Sequence, residues 1–134
     1  MRVAVCVDDL GGMIFNHRRQ SRDRVLVADL LTEAGKGRLL ISPFSADLLG
    51  EGGATVTPQF LSAAEKGDLC FVESEPLAPH LDRIDELIVY RWNCRYPRDL
   101  CLDVEPLAAG LRLSERTEFA GYSHKIITKE RYIR

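Results

Sequence analysis

Four short apolar runs limit what this chain can fold into: Val3-Ala4-Val5-Cys6-Val7, Leu39-Leu40-Ile41, Leu69-Cys70-Phe71-Val72 and Leu87-Ile88-Val89-Tyr90. Each is continuous rather than alternating, as expected of a strand buried on both faces. Segments with helical signals separate them. Ser21 is a good N-cap for a helix over 22–34, which Gly35 and Gly37 stop. Ser45 can cap a short helix through Leu49, closed by Gly50. After a brief strand over 54–56, Thr57-Pro58 opens a helix running to about residue 66. Ser74-Glu75-Pro76 opens a last one, with Leu77, Leu81 and Ile84 at i, i+4, i+7 spacing. Residues 8–20 read as a loop. Strand-helix alternation of this kind predicts right-handed crossovers and a largely parallel sheet covered on both faces, an α/β fold. The tail differs. Residues 111–119 and 126–133 alternate with period two on either side of Gly121, which predicts an antiparallel hairpin.

Length and charge narrow the function classes. The 134 residues make one ordinary domain, 1–134, and 46% hydrophobic content can fill a real core. A formal net charge of −2 argues against a general nucleic-acid binder, although a local basic patch is compatible with it. No apolar run is long enough to span a bilayer, so no membrane partner is expected. The start passes straight into a strand-like run without the features of a secretory signal, so a cytoplasmic location is expected. Cys6 and Cys70 lie in buried runs, and the spacing of Cys94 and Cys101 fits no standard metal site. The expectation is no metal.

Several residues are candidates for chemistry. Asp23 lies at the start of the first helix and shares a face with Leu26, Val27, Leu30 and Ala34. A carboxylate on a buried stripe needs a reason to be there: it holds a ligand, or it complements the positive end of the helix dipole. Asp29 shares a face with Arg22 and Glu33, which reads as solvated. The segment 17–24, His-Arg-Arg-Gln-Ser-Arg-Asp-Arg, carries four arginines just before a helix N-terminus. It reads as a site for phosphate, a nucleotide or RNA backbone, or as a solvated loop paired with Asp8 and Asp9. Tyr90, Trp92 and Tyr96 can stack on a planar ligand or serve as core and rim. His80 and His124 have no partner recognisable in the sequence, and no zinc-type spacing exists.

Taken in order, the segments resemble the dihydrofolate reductases. Ala4-Val5-Cys6-Val7-Asp8 and Gly11-Gly12-Met13-Ile14-Phe15-Asn16 are similar to that family's first strand and flexible active-site loop. The stretch from Phe60 to Glu118 is similar to its second half, with Tyr96-Pro97-Arg98-Asp99-Leu100 like its late turn and Leu111-Arg112-Leu113-Ser114-Glu115 like the first hairpin strand. The resemblance implies a three-layer α/β/α fold with a mostly parallel central sheet ending in a C-terminal antiparallel hairpin. It makes Asp23 the match for the carboxylate that holds a pterin ring, and Met13 and Phe15 the wall of a mobile lid.

The departures from that family carry the functional expectation. The Gly, Arg and Thr that hold cofactor phosphate read here Ser42-Pro43-Phe44-Ser45, so only the hydroxyl of Ser45 matches. The Gly-Gly pair that lets backbone approach a pyrophosphate reads Glu73-Ser74, and the adenosine-phosphate strand is replaced by Glu51-Gly52-Gly53. Each lost contact is worth about 1–3 kcal/mol. NADPH is therefore disfavoured and no cofactor is expected. The favoured expectation is a protein that binds a small planar or anionic ligand or a nucleotide, with Asp23 on a polar ring edge, Arg18, Arg19 and Arg22 on an anionic group, and Ser45 in the ligand site. The alternatives are an active pterin-type reductase with an altered cofactor site, and an RNA- or protein-interaction module using loop 17–24. Whether the chain is an enzyme stays open, as does homodimer formation.

Overall fold

Alternate residues along the buried runs feed two different cores. Val3, Val5 and Val7 point to one side of the sheet and Ala4 and Cys6 to the other. Leu87 and Val89 divide from Ile88 and Tyr90 in the same way. This computed structural model describes residues 1–35 and 37–134.

The strands are β1 (Arg2–Val7), β2 (Gly12–Phe15), β3 (Arg18–Arg19), β4 (Leu39–Ile41), β5 (Thr55–Val56), β6 (Leu69–Phe71), β7 (Glu86–Arg91), β8 (Leu100–Cys101), β9 (Arg112–Phe119) and β10 (Ile127–Ile133). Seven of them form one sheet in the order β5-β4-β6-β1-β7-β10-β9. β5, β4, β6, β1 and β7 run parallel, and β10 and β9 close the edge as an antiparallel ribbon. The expected parallel body and terminal hairpin are both present.

Helices cover the two faces. α1 (Arg24–Ala34) buries Leu26 and Leu30 against Ala4, Ile88, Tyr90 and Ile127. Burying Leu30 completely contributes about 2 kcal/mol. α2 (Ala46–Leu49) seals the same core with Leu49. On the opposite face, Phe60 and Leu61 of α3 (Phe60–Ala63) pack with Leu77, Ile84 and Leu111 over Val3, Val5 and Leu87.

Five local expectations differ from the structure. Residues 8–20 are not a plain loop: β2 and β3 form a hairpin, and β8 joins β2 in a second, three-stranded sheet. Its two-residue turn puts Asn16 and His17 at φ 51° and 61°, the left-handed geometry that suits the strand twist. The helix expected to reach residue 66 is one turn, Phe60–Ala63, and the one expected after Pro76 is a 3₁₀ segment, Ala78–Arg83. Asp23, not Ser21, is the N-cap of α1, accepting from the amides of Val25 and Leu26. Ser45 makes no capping bond at α2.

Candidate functional site

The carboxyl ends of the parallel strands gather the polar residues. Asp8 follows β1, Ser45 lies beyond β4, Glu73 follows β6 and Trp92 follows β7. Asp8 is fully buried and accepts from the amides of Leu10, Gly12 and Tyr96 and from Gln20. Burial alone would raise its pKa, but these donors together hold it below the ordinary value. Asp8 therefore pins the turn after β1 to the 96 loop and pairs with no arginine.

Asp23 is the most heavily bonded carboxylate here. Oδ1 accepts from the amides of Val25 at 2.9 Å and Tyr122 at 3.0 Å. Oδ2 accepts from the Ser123 amide at 2.9 Å and stands 2.9 Å from Nδ1 of His124. Burial opposes ionisation, yet the Tyr122 amide, His124 and the Ser123 amide outweigh it and hold the carboxyl far below its ordinary value. Asp23 thus fastens the start of α1 to the turn between β9 and β10. Its oxygens are already taken, so it has no free edge to offer a ligand ring.

His124 is held from three sides. Its ring stacks on Trp92 with centroids 4.5 Å apart and planes 28° from parallel. Nε2 lies 2.9 Å from the Tyr96 hydroxyl and 3.1 Å from Oγ of Ser21. Residues distant in sequence are thereby brought into one line: Ser21, His124, Asp23, with Tyr96 alongside.

Arg19 forms a second centre. Its guanidinium grips Glu73 in two bonds of 2.8 and 3.0 Å and Asp47 in two of 2.8 Å. The hydroxyl of Ser45, fully buried, donates to the same Glu73 oxygen at 2.8 Å. The hydrogen bonds from Arg19 to Glu73 and Asp47 push the arginine further from deprotonation, and Arg19 lowers the pKa of Asp47 in turn. Between the two centres lies a cavity of about 20 Å³, room for one water, lined by Cys6, Met13, Leu26, Phe71 and Trp92 among others.

A solved structure resembles this arrangement over its whole length. Dihydrofolate reductase from Enterococcus faecalis, complexed with NADP(H) and RAB-propyl, superposes with a TM-score of 0.73, covering 100% of this chain and 96% of that one. This chain has a dihydrofolate reductase-like fold. Identity to that reductase is 11%, so the likeness is one of fold. No family model matches the sequence, and no curated protein is significantly similar to it.

On this reductase-like scaffold Met13, Arg19, Arg22 and Asp23 line the same small cavity, while Phe15, Arg18 and Ser45 do not. Met13 is buried within β2 and reaches the cavity, while Phe15, on the same strand, is 46% exposed. Both belong to a paired strand rather than a free lid loop. Arg19 is wholly engaged with Glu73 and Asp47, and Arg24 lies over the Tyr122 ring at 3.9 Å. Among the described residues, the side chains of Arg18 and Arg22 are exposed and hydrogen-bond to no other group, so two of the four arginines remain for an anion. They border an open groove of about 630 Å³ with His17, Phe44 and Asp47. Asp29 is not simply solvated: it accepts from the Tyr90 hydroxyl at 2.6 Å and pairs with Lys129. Among the described residues, no group of three or more His, Cys, Asp or Glu side chains is placed to hold a metal ion, and no helix is long and apolar enough to cross a membrane. Sequence reasoning missed His124 as a partner of Asp23 and Glu73 as a partner of Arg19. No local signal points to either pairing, since each spans more than one strand crossover.

Proposed function

We propose that this protein binds a small anionic ligand in the cleft at the strand ends and does not take NADPH in the manner of its structural neighbour. One observation carries the reading: the Arg19–Glu73 fork, with Ser45 bonded into it. In open α/β sheets, phosphates sit at helix starts just beyond the carboxyl ends of the strands. Here both such positions, after β4 and after β6, are filled by one internal ion pair. A dinucleotide would have to separate a nearly buried pair, at about 3–5 kcal/mol, and then face the carboxylate of Glu73. These residues do not fit the cofactor.

The same reasoning disfavours a pterin-type reductase. Asp23 would have to give up the Tyr122 and Ser123 amides before it could hold a ring. The anion would instead lie between Arg18 and Arg22 in the groove beside Phe44. Four unpaired cysteines suit a reducing compartment, which supports a cytoplasmic location.

Trp92, the only tryptophan, lines the inner cavity and not this groove, so binding is followed by isothermal titration calorimetry. Titration with NADPH, dihydrofolate, folate and mononucleotides is the test. The expected result is a saturable change with a small anionic compound, weakened by Arg22→Ala, and none with NADPH. Saturable NADPH binding accompanied by its oxidation in the presence of dihydrofolate would overturn the reading.

A further inference from the structure

We propose that Ser21, His124 and Asp23 form an acyl-transfer centre for short-chain esters whose leaving group carries a negative charge. The proposal does not depend on the ligand argued above.

The geometry meets the requirements of a nucleophile, a base and an orienting carboxylate in series. Ser21 Oγ stands 3.1 Å from His124 Nε2, and His124 Nδ1 stands 2.9 Å from Asp23 Oδ2. A proton on Nδ1 donated to Asp23 leaves Nε2 to accept from the Ser21 hydroxyl. Asp23 is a positioning residue: the amides of Val25, Tyr122 and Ser123 hold it, and it fixes the tautomer and the ring. Stacking on Trp92 fixes the plane. Ser21 is half-buried on the cavity wall, not sealed in the core.

Two donors stand near Ser21 Oγ, beside which the substrate carbonyl oxygen would gain charge. The Tyr96 hydroxyl lies 3.3 Å from Oγ and 2.9 Å from His124 Nε2, and it would turn from Nε2 to the oxyanion as Ser21 engages the imidazole. The amide of Arg22, the residue after the nucleophile, donates to no acceptor among the described residues. A backbone amide in that position is a common oxyanion donor in hydrolases.

The step balances without a cofactor. Ser21 Oγ attacks the ester carbonyl carbon while His124 Nε2 takes the hydroxyl proton. The carbon–oxygen bond to the leaving alcohol breaks, and His124 returns the proton to that alcohol. Water, deprotonated by His124, then releases the acyl group as a carboxylic acid and restores Ser21.

Two surroundings set the substrate class. The cavity beside Ser21, about 20 Å³, holds one water-sized group, so it takes nothing larger than the methyl of an acetyl ester. The exposed guanidinium of Arg22 adjoins the nucleophile and an outer groove of about 460 Å³, which would take an anionic leaving group.

The test treats the purified full chain with a small alkyl fluorophosphonate, which forms a phosphonate ester on an activated serine and releases fluoride. Peptide mass spectrometry should find the adduct on Ser21. Labelling should be absent in Ser21→Ala and about 100-fold slower in His124→Gln. Acetate esters of an acidic phenol should turn over faster than hexanoate esters, and only with Ser21 intact. If His124→Gln fails to fold, the native chain is compared with the same chain in urea. Ser21 labelling that is absent, equal in His124→Gln or equal in the unfolded chain overturns the proposal.

Discussion

Nδ1 of His124 lies 2.9 Å from Oδ2 of Asp23, a bond between residues 101 positions apart. It ties the start of the first helix to the turn of the terminal hairpin.

Asp23→Ala should lower the unfolding free energy by about 3–5 kcal/mol. The cap of α1 is worth about 1 kcal/mol, and the charge-assisted bonds to Tyr122, Ser123 and His124 supply the rest. Urea denaturation at neutral pH, followed by circular dichroism, measures it. A loss below 1 kcal/mol would mean the turn finds other partners.

Glu33 gives a pH dependence with a definite sign. Arg131 and Lys129 outweigh burial and bring its carboxyl from 4.5 down to about 2. The folded pKa lies below the unfolded one, so the stabilisation is present above about pH 4.5 and is lost as pH falls toward 2. Asp23, lowered in the same direction, adds to the loss at acid pH. Denaturation midpoints should therefore hold from pH 6 to about pH 4.5 and fall from there toward pH 2, and Glu33→Gln should flatten part of that slope.

Removing Arg19 alone should be costly, because it leaves Glu73 buried and unpaired. Arg19→Met is expected to lose about 3–5 kcal/mol, while Arg19→Met with Glu73→Gln recovers most of it. A double-mutant cycle in urea gives the coupling. Additive losses would contradict the fork as a unit.

Tyr90 should resist ionisation while the protein is folded. Burial, then the hydrogen bond to Asp29, push its hydroxyl well above the ordinary range. An ultraviolet titration should show fewer than the chain's four tyrosines ionising before alkaline unfolding. Tyr90→Phe should cost about 1–2 kcal/mol.

Gly121→Ala tests how tightly the turn fits. A Cβ there would lie 2.7 Å from Asp23 Oδ2 and 2.8 Å from the His124 carbonyl oxygen. Neither can move without breaking the turn, so a loss of about 1–3 kcal/mol is expected in thermal or urea unfolding.

The sequence by itself determined the scaffold. β1, β4, β6 and β7 were legible because strands buried on both faces must be continuously apolar. The β9–β10 ribbon was legible from its period-two alternation about Gly121, although only β10 is half-buried and β9 is exposed along nearly all its length. The likeness to dihydrofolate reductases followed from the order of these pieces. Local signals overstated α3 and the segment after Pro76, where cap residues open a helix that little apolar surface then extends. They also missed β2 and β3, a short local hairpin, and β8, whose Leu100 pairs with Ile14 far along the chain.

Only the tertiary structure decided what the polar residues do. Ser21 and Asp23 are both good helix caps, and the choice fell to Asp23 because Tyr122 and Ser123 bring it two more amides. Arg19 looked like a free cation until Glu73 and Asp47, 54 and 28 residues away, were folded against it. Apolar patterning is written locally because each residue's face repeats along its own strand or helix. Polar pairing depends on which strand ends meet, and that is settled by the crossovers of the sheet.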